Sequence, residues 1–417
     1  MANTKPTRIQ HSGVALYIDE NQAKRIESFS ADSSFKDEQI LELANSGVAE
    51  LISDLDTVGT SINAHDFGSI DNFAKLVNMY TTLDDNENLL LDDSRFDNAQ
   101  VDFIIQVTSG TSTNALAASM WCGSQALTGF TMNFNADGNA SESYTLEGDY
   151  KRWFLNAYRD TKVVSGTMLN PTTAKITGKT LQTGYTPLIV TVNNLIVADT
   201  AAGQTITCTD SGSDTNVTAS PALSLASGDR IRLVYAKNVP ASFSALSTTP
   251  AGLGALRRGM IDIYLFNPTS GTEEKVLRLQ SVSINGSLDR STEVELGTEK
   301  PYSRTLNRPI SVEVTAEALM TDLEVFAKLA NLESSYDAMT LNQISWDSLS
   351  SNTKLIVKEY KSETSHTAAN LLRTVVITGL SVTSTNDNAS VGDNTTVSFT
   401  LKSDNFLVSG SGVTPFL

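Results

Sequence analysis

The hexapeptide FAKLVN at 73–78 returns as FAKLAN at 326–331, and no bulk property constrains the fold as tightly as this recurrence. Superposed without a gap at 326 − 73 = 253 residues, positions 25–78 and 278–331 share 11 identities in 54. Composition alone gives about three or four. The matches are Arg25/Arg278, Ser28/Ser281, Ser30/Ser283, Ser34/Ser287, Glu42/Glu295 and Leu43/Leu296, followed by the hexapeptide itself. Further on, ALTGFTMNFNADGNAS (126–141) is echoed by VITGLSVTSTNDNAS (376–390), and ESYTLEGD (142–149) by VSFTLKSD (397–404); at the front, GVALYI (13–18) faces GMIDIYL (259–265). One unit of roughly 150 residues is therefore written twice, over 13–160 and 256–417, a period too long for a solenoid and read as a duplicated domain.

Within the second copy, KVLRLQSVSING alternates as a strand, Asn285-Gly286 reads as a turn, and RSTEVELG continues with Val294 and Leu296 on a buried face. The first copy agrees in type, with KRIESFS, a polar break at 32–34 and QILELA. The stretch 298–309, with Pro301 and Pro309, reads as a long exposed excursion. ISVEVTAE (310–317) is a strand with one apolar face. TDLEVFAKLAN then switches to helical spacing with Leu319, Leu323, Phe326 and Ala330 on one stripe, and Thr321 and Glu324 at capping-box spacing. Ile70, Phe73 and Val77 form the equivalent stripe in the first copy. Phe73, Leu76, Phe326 and Leu329 thus mark two core-facing helix ends. KLIVKEY (354–360) corresponds to VDFIIQV (101–107), and a closing hairpin completes each unit. The expected fold class is mainly β with short helices: two tandem antiparallel sandwiches or part-closed barrels, each with one flanking helix.

Between the copies, 164–250 is rich in Ser, Thr and Gly and lacks the helix phrase. PLIVTVNNLIVAD reads as a hairpin turning at Asn193-Asn194, with TITCT and SGDRIRLVYAK as further strands. The expected division is a first unit at 1–163, an inserted all-β, Ig-like module at 164–250 and a second unit at 251–417. The start of the chain lacks an apolar signal core, and no run is long and apolar enough for a spanning helix.

The chemistry-bearing residues are sparse. His11, His65 and His366 lie in three different settings, and Cys122 and Cys208 have no metal or redox spacing. No nucleophile elbow or nucleotide loop is present. NFNADGNASESY (133–144) starts like a calcium loop but has Tyr144 where the bidentate glutamate belongs, so it reads as a β-turn. Asp54/Asp56 and Asp92/Asp93 read as solvated loop charge. No enzyme, cofactor or metal is expected. The net charge of −17 opposes a surface that grips nucleic acid. It fits either simple solubility or a wall that a polyanion passes without sticking.

RLQSVSINGSLDRSTEVELGTEKPYSR, NRPISVEVTAEAL with its helix, and the closing strands LTGFTMNFNADGNASESYTLEGD together resemble the tail tube proteins of bacteriophages. The resemblance covers both copies and omits the insert. It implies six tube folds per ring, inner strands pairing edge to edge around a channel, and a long loop reaching the neighbouring ring. With two folds per chain, three chains complete a pseudo-sixfold homotrimeric ring, and stacked rings conduct double-stranded DNA without binding it specifically. The implied partners are further copies of the chain, a tape measure protein and other tail proteins, with no membrane; the implied location is the virion, after assembly in the host cytoplasm. The stacking loops near 44–58 and 298–309 place Glu50, Asp54, Asp56, Tyr302, Arg304 and Arg308 in that role. The insert is expected on the outer surface. A ring at the tail end, a baseplate hub and a β-rich surface adhesin are the competing readings.

Overall fold

The computed structural model describes residues 14–34, 37–41, 48–53, 57–66, 68, 71–77, 88–90, 96–97, 99–108, 117–155, 160–237, 255–267, 272–276, 279–296, 300–319, 353–388, 396–403 and 407–410. The first copy opens with β1 (Val14–Ile18), β2 (Asn21–Gln22), β3 (Ile26–Ser34), β4 (Asp37–Leu41), β5 (Val48–Ser53) and β6 (Thr57–His65). A short helix, α1 (Asp71–Leu76), precedes β7 (Asn88–Leu90), β8 (Val101–Thr108), the long β9 (Ala117–Asn135), β10 (Ser141–Gly148) and β11 (Tyr150–Leu155). The central stretch holds β12 (Asp160–Asn170), β13 (Thr173–Ile176), β14 (Tyr185–Val192), β15 (Leu195–Asp199), β16 (Thr205–Ser211), β17 (Asp214–Ser220) and β18 (Ile231–Lys237). The second copy runs through β19 (Ile261–Asn267), β20 (Thr272–Lys275), β21 (Leu279–Ser287), β22 (Arg290–Glu293), β23 (Ser303–Leu306) and β24 (Ser311–Leu319). It ends with β25 (Thr353–Tyr360), β26 (Leu371–Asn388), β27 (Thr396–Ser403) and β28 (Leu407–Gly410).

The strand pairings repeat. In the first copy β3 pairs β6, β6 pairs β10, and β10 pairs β9; in the second, β21 pairs β24, β24 pairs β27, and β27 pairs β26. The outer strands do the same, with β1, β8, β9 and β11 matched by β19, β25, β26 and β28. Register fixes which residues correspond. Leu146 lies opposite Leu127 and Leu401 opposite Val382, so β9 maps onto β26 at 382 − 127 = 255. The Thr-Gly pairs at 128–129 and 378–379 are therefore not equivalent: both strands are long and alternate with period two, which lets the pattern slide, and the connection to the next strand differs in length.

Two strand pairings among the described residues join the copies, and the longer one makes their sheets continuous. The far half of β9 also pairs with β21, from Ser281 opposite Asn135 to Ser287 opposite Gly129, so two four-stranded blocks form one eight-stranded antiparallel run, β3-β6-β10-β9-β21-β24-β27-β26. Asn285-Gly286 is consequently not a turn but mid-strand. A Cβ at position 286 would collide with the Phe130 ring across the seam, so the glycine makes room for a neighbour. The expected hairpin partner of β21 belongs elsewhere: among the described residues β22 pairs with β23 alone. Val294 and Leu296, which follow the end of β22, are exposed rather than buried. The polar break expected at 32–34 likewise lies within β3, opposite β6.

Period-two alternation places one face of this run on the core. In β6 and β10, Val58, Ile62, Tyr144 and Leu146 are buried while their neighbours are half-exposed or exposed. The helix α1 caps that core. Phe73 is buried against Phe96, Phe130 and Tyr144 at ring-centroid distances of 6.0, 5.3 and 6.1 Å, with the Phe130 contact edge-on at 71°. Leu76 and Val77 are buried beside it, and Lys75 pairs with Asp71 one turn earlier at 2.7 Å. The matching helix of the second copy, with Leu323, Phe326, Leu329 and its Thr321/Glu324 cap, lies outside the described residues.

Strands β12 to β18 form a separate seven-stranded arrangement in the order β15-β14-β18-β12-β13-β17-β16, around its own core of Ile176, Val190, Val217, Leu233 and neighbours. Its first and last strands pair with each other, Asp160 opposite Lys237. The turn at Asn193-Asn194, with positive φ at both residues, joins β14 to β15.

Candidate functional site

The face of the eight-stranded run opposite the core is its most distinctive surface. A single row can be followed across all eight strands by register: Ser28, Asn63, Ser143, Thr131, Asn285, Glu313, Lys402 and Ser381. Neighbours in the row bond to one another. Asn63 Nδ2 donates to Ser28 Oγ at 2.8 Å, Thr131 Oγ1 to Asn285 Oδ1 at 2.9 Å, and Lys402 approaches Glu313 at 3.4 Å. The side chains are short, hydroxylated or amidic. Among the described residues this face carries Asp32, Glu147, Glu313 and Glu317 against Lys402. The face is therefore polar with a negative excess.

Two buried arginines hold the joint between the copies. Arg373, from β26, is fully buried and donates to Glu359 Oε2 and Oε1 at 2.9 and 2.6 Å, to Glu142 Oε1 at 2.5 Å, and to Asp66. Asp66 and Glu142 belong to the first copy. Burial, reinforced by the Asp66 charge and opposed by Arg373, pushes the Glu142 carboxyl up to about 7, while Tyr144 donates to its other oxygen at 2.6 Å. Burial also raises Glu359 well above the carboxylate range. Arg304, from β23, is equally enclosed and donates to Asp149 at 2.7 Å and Glu147 at 3.3 Å, both in the first copy. Arg290 beside it donates to the backbone oxygens of Leu127, Asp97 and Phe96. A third tie lies at the outer edge, where β7 of the first copy pairs with β28 of the second.

No family model and no curated protein matches the chain. Among solved structures it is similar to the tube-terminating cap of the anti-feeding prophage, at 17% identity and a TM-score of 0.28, over 37% of this chain and 95% of that one. It is also similar to a chain of the extended sheath-tube complex of an extracellular contractile injection system, at 15% and 0.27, over 36% and 92%. A chain from the sheath/tube terminator of that kind of system gives 16% and 0.28, over 37% and 99%.

The residues singled out as stacking positions fall in different settings. Arg304 is a buried clasp and not a solvent-facing loop residue, because the loop folds back as β23 onto the first copy. Arg308 is partly exposed and pairs with Asp97 at 2.8 Å. Tyr302 is 38% exposed, with its backbone oxygen accepting from Asn194 Nδ2 at 3.0 Å. Glu50 lies in β5 by its backbone, and the side chain is not described; Asp54 and Asp56 fall outside the described residues, as do Phe326 and Leu329. The 133–144 stretch connects β9 to β10 through Gly138 at φ 102°, and Asp137 is fully solvent-exposed.

The central module is fastened to the first copy by a residue that no motif indicated. Arg232, 2% exposed, donates to Asp102 Oδ1 at 2.5 Å and to the Gln100 backbone oxygen, and lies 3.8 Å from Asp19. Asp102 also accepts from Trp121 Nε1 at 2.9 Å, and Trp121 stacks on Tyr150. Burial lifts Asp19 to about 6 despite Arg232. Around this hub Ile104 and Trp121 pack against Val163, Leu188, Ile189 and Val234. The only advance signal is the alternation IRLVY, in which one arginine interrupts the apolar face of a strand.

Proposed function

We propose that this chain is a structural tail component, a subunit of a ring in a phage-type tail or injection tube. The observation that carries the reading is the β9–β21 seam, which joins two equivalent four-stranded blocks head to tail and leaves both ends of the run, β3 and the far half of β26, able to continue in the same sense. Three chains joined this way give 24 strands. At about 4.8 Å between strands and a tilt of about 40°, such a barrel has a backbone diameter of about 48 Å. The role is architectural and not catalytic.

The polar face supports a lumen. Short hydroxyl and amide groups keep water at the wall, and a negative excess with one lysine offers a duplex few cations to exchange for its counterions. Tape measure and other tail proteins are the expected partners, with DNA as passing cargo. The test is electron microscopy of purified protein at increasing concentration. Rings of three chains with a central channel are expected, and stacking separates a repeating tube from a terminal ring. A monomer that persists at high concentration overturns the reading.

A further inference from the structure

The seam inside the chain is a template for one between chains. By register, β3 corresponds to β21 at 281 − 28 = 253, since Ser28 faces Asn63 where Ser281 faces Glu317 in the matching strand. The mapping of β9 onto β26 is 255, as derived above. Within the chain, Asn285 lies opposite Thr131. The corresponding positions on the two open edges are 285 − 253 = 32 and 131 + 255 = 386. Both Asp32 and Asn386 are exposed.

We propose that β3 of one chain pairs antiparallel with the far half of β26 of the next, with Asp32 opposite Asn386, resting on the ring reading above. The side chains fit this register. Where Thr131 donates a hydroxyl to the Asn285 oxygen inside the chain at 2.9 Å, Asn386 brings amide donors to an Asp32 carboxylate. The opposite face of the edges is chemically different. Phe130 and Gly286 meet inside the chain, whereas Thr385 and Ser33 hold those register positions on the open edges. The chain-to-chain seam thus forms with fewer apolar contacts than the seam within a chain, and the unpaired edges stay compatible with water before assembly.

A second edge agrees. Residue 153 corresponds to 408, because Trp153 faces Met120 where Val408 faces Val375, and Val408 is where the first copy reaches the second through Leu89. Trp153 is 53% exposed. A large apolar side chain on the outer edge of β11 is what a neighbouring chain would cover.

The experiment uses full-length chains carrying Cys208→Ser, since Cys122 is buried. An Asp32→Cys chain is mixed with an Asn386→Cys chain, assembled and oxidised, and a parallel mixture uses Ser384→Cys in place of Asn386→Cys. Directly opposed residues lie within disulfide reach and positions displaced by two do not, so the 32/386 mixture should give on the order of ten-fold more linked dimer. Neither single-cysteine chain should link to itself. Rings that form without preferential 32/386 linkage overturn this register and leave the ring reading standing. Failure of any wild-type oligomer to form overturns both.

Discussion

The two copies keep the same strand order but differ at the places where each meets a different neighbour. Arg373 and Glu359 correspond by register to Ala118 and Val107, and Glu142 corresponds to Val397. The ionic lock at the joint within the chain therefore has apolar counterparts at every one of these positions. Trp121, which receives the central module, corresponds to Val376. What stays the same is equally localised. The paired serines Ser28/Ser281 and Ser30/Ser283 stand on the polar face, and Phe73 of the repeated hexapeptide fills the core. The residues that meet unlike partners differ between the copies, while some of the shared ones stand on the polar face or in the core.

That contrast can be broken at the lock. Arg373→Ala should destabilise the chain by about 3–5 kcal/mol, because three buried carboxyl groups lose their cation; chemical denaturation reads this directly. Adding Glu359→Val and Glu142→Val, which restores the apolar character of the corresponding positions, should recover a large part of the loss. If the triple variant is no more stable than the single one, the lock is not a replaceable local feature.

The lock should also respond to pH. Glu142 has a folded-state pKa of about 7 against an ordinary value of 4.5, so the folded chain binds more protons than the unfolded one between those limits. Its contribution to stability is full below about pH 4.5 and falls as pH rises to about 7. Glu142→Gln should flatten that part of the stability profile, measured as the denaturation midpoint at pH 5 and pH 8. An unchanged slope would assign the pH dependence to other groups. The smallest effect is expected on the polar face, where Lys402 and Glu313 are both about half exposed; Lys402→Ala should cost less than about 1 kcal/mol.

The duplication was legible because the core helix and the polar-face serines kept their identities, and the period-two strands announced a β fold. The seam was not legible. The strands β3 and β21 read almost alike, and only a non-local partner decides which of them is an edge. The dipeptide Asn285-Gly286 misled for a related reason: a glycine that clears space for Phe130 looks the same in sequence as one that turns a hairpin. In sequence Arg304 reads as a loop residue, because its acids, Glu147 and Asp149, lie about 155 positions earlier. Buried ion pairs assembled from distant segments leave no local pattern.

The pairing of β12 with β18 has a consequence for the architecture of the chain. Because Asp160 and Lys237 stand side by side, the first and last strands of the module lie together, and in topology the whole module is a detachable cassette. In chemistry it is not. Lifting it out would strip Asp102 of Arg232 and expose Trp121 and Ile104, so a viable shortened chain would have to rewrite those three positions at the same time.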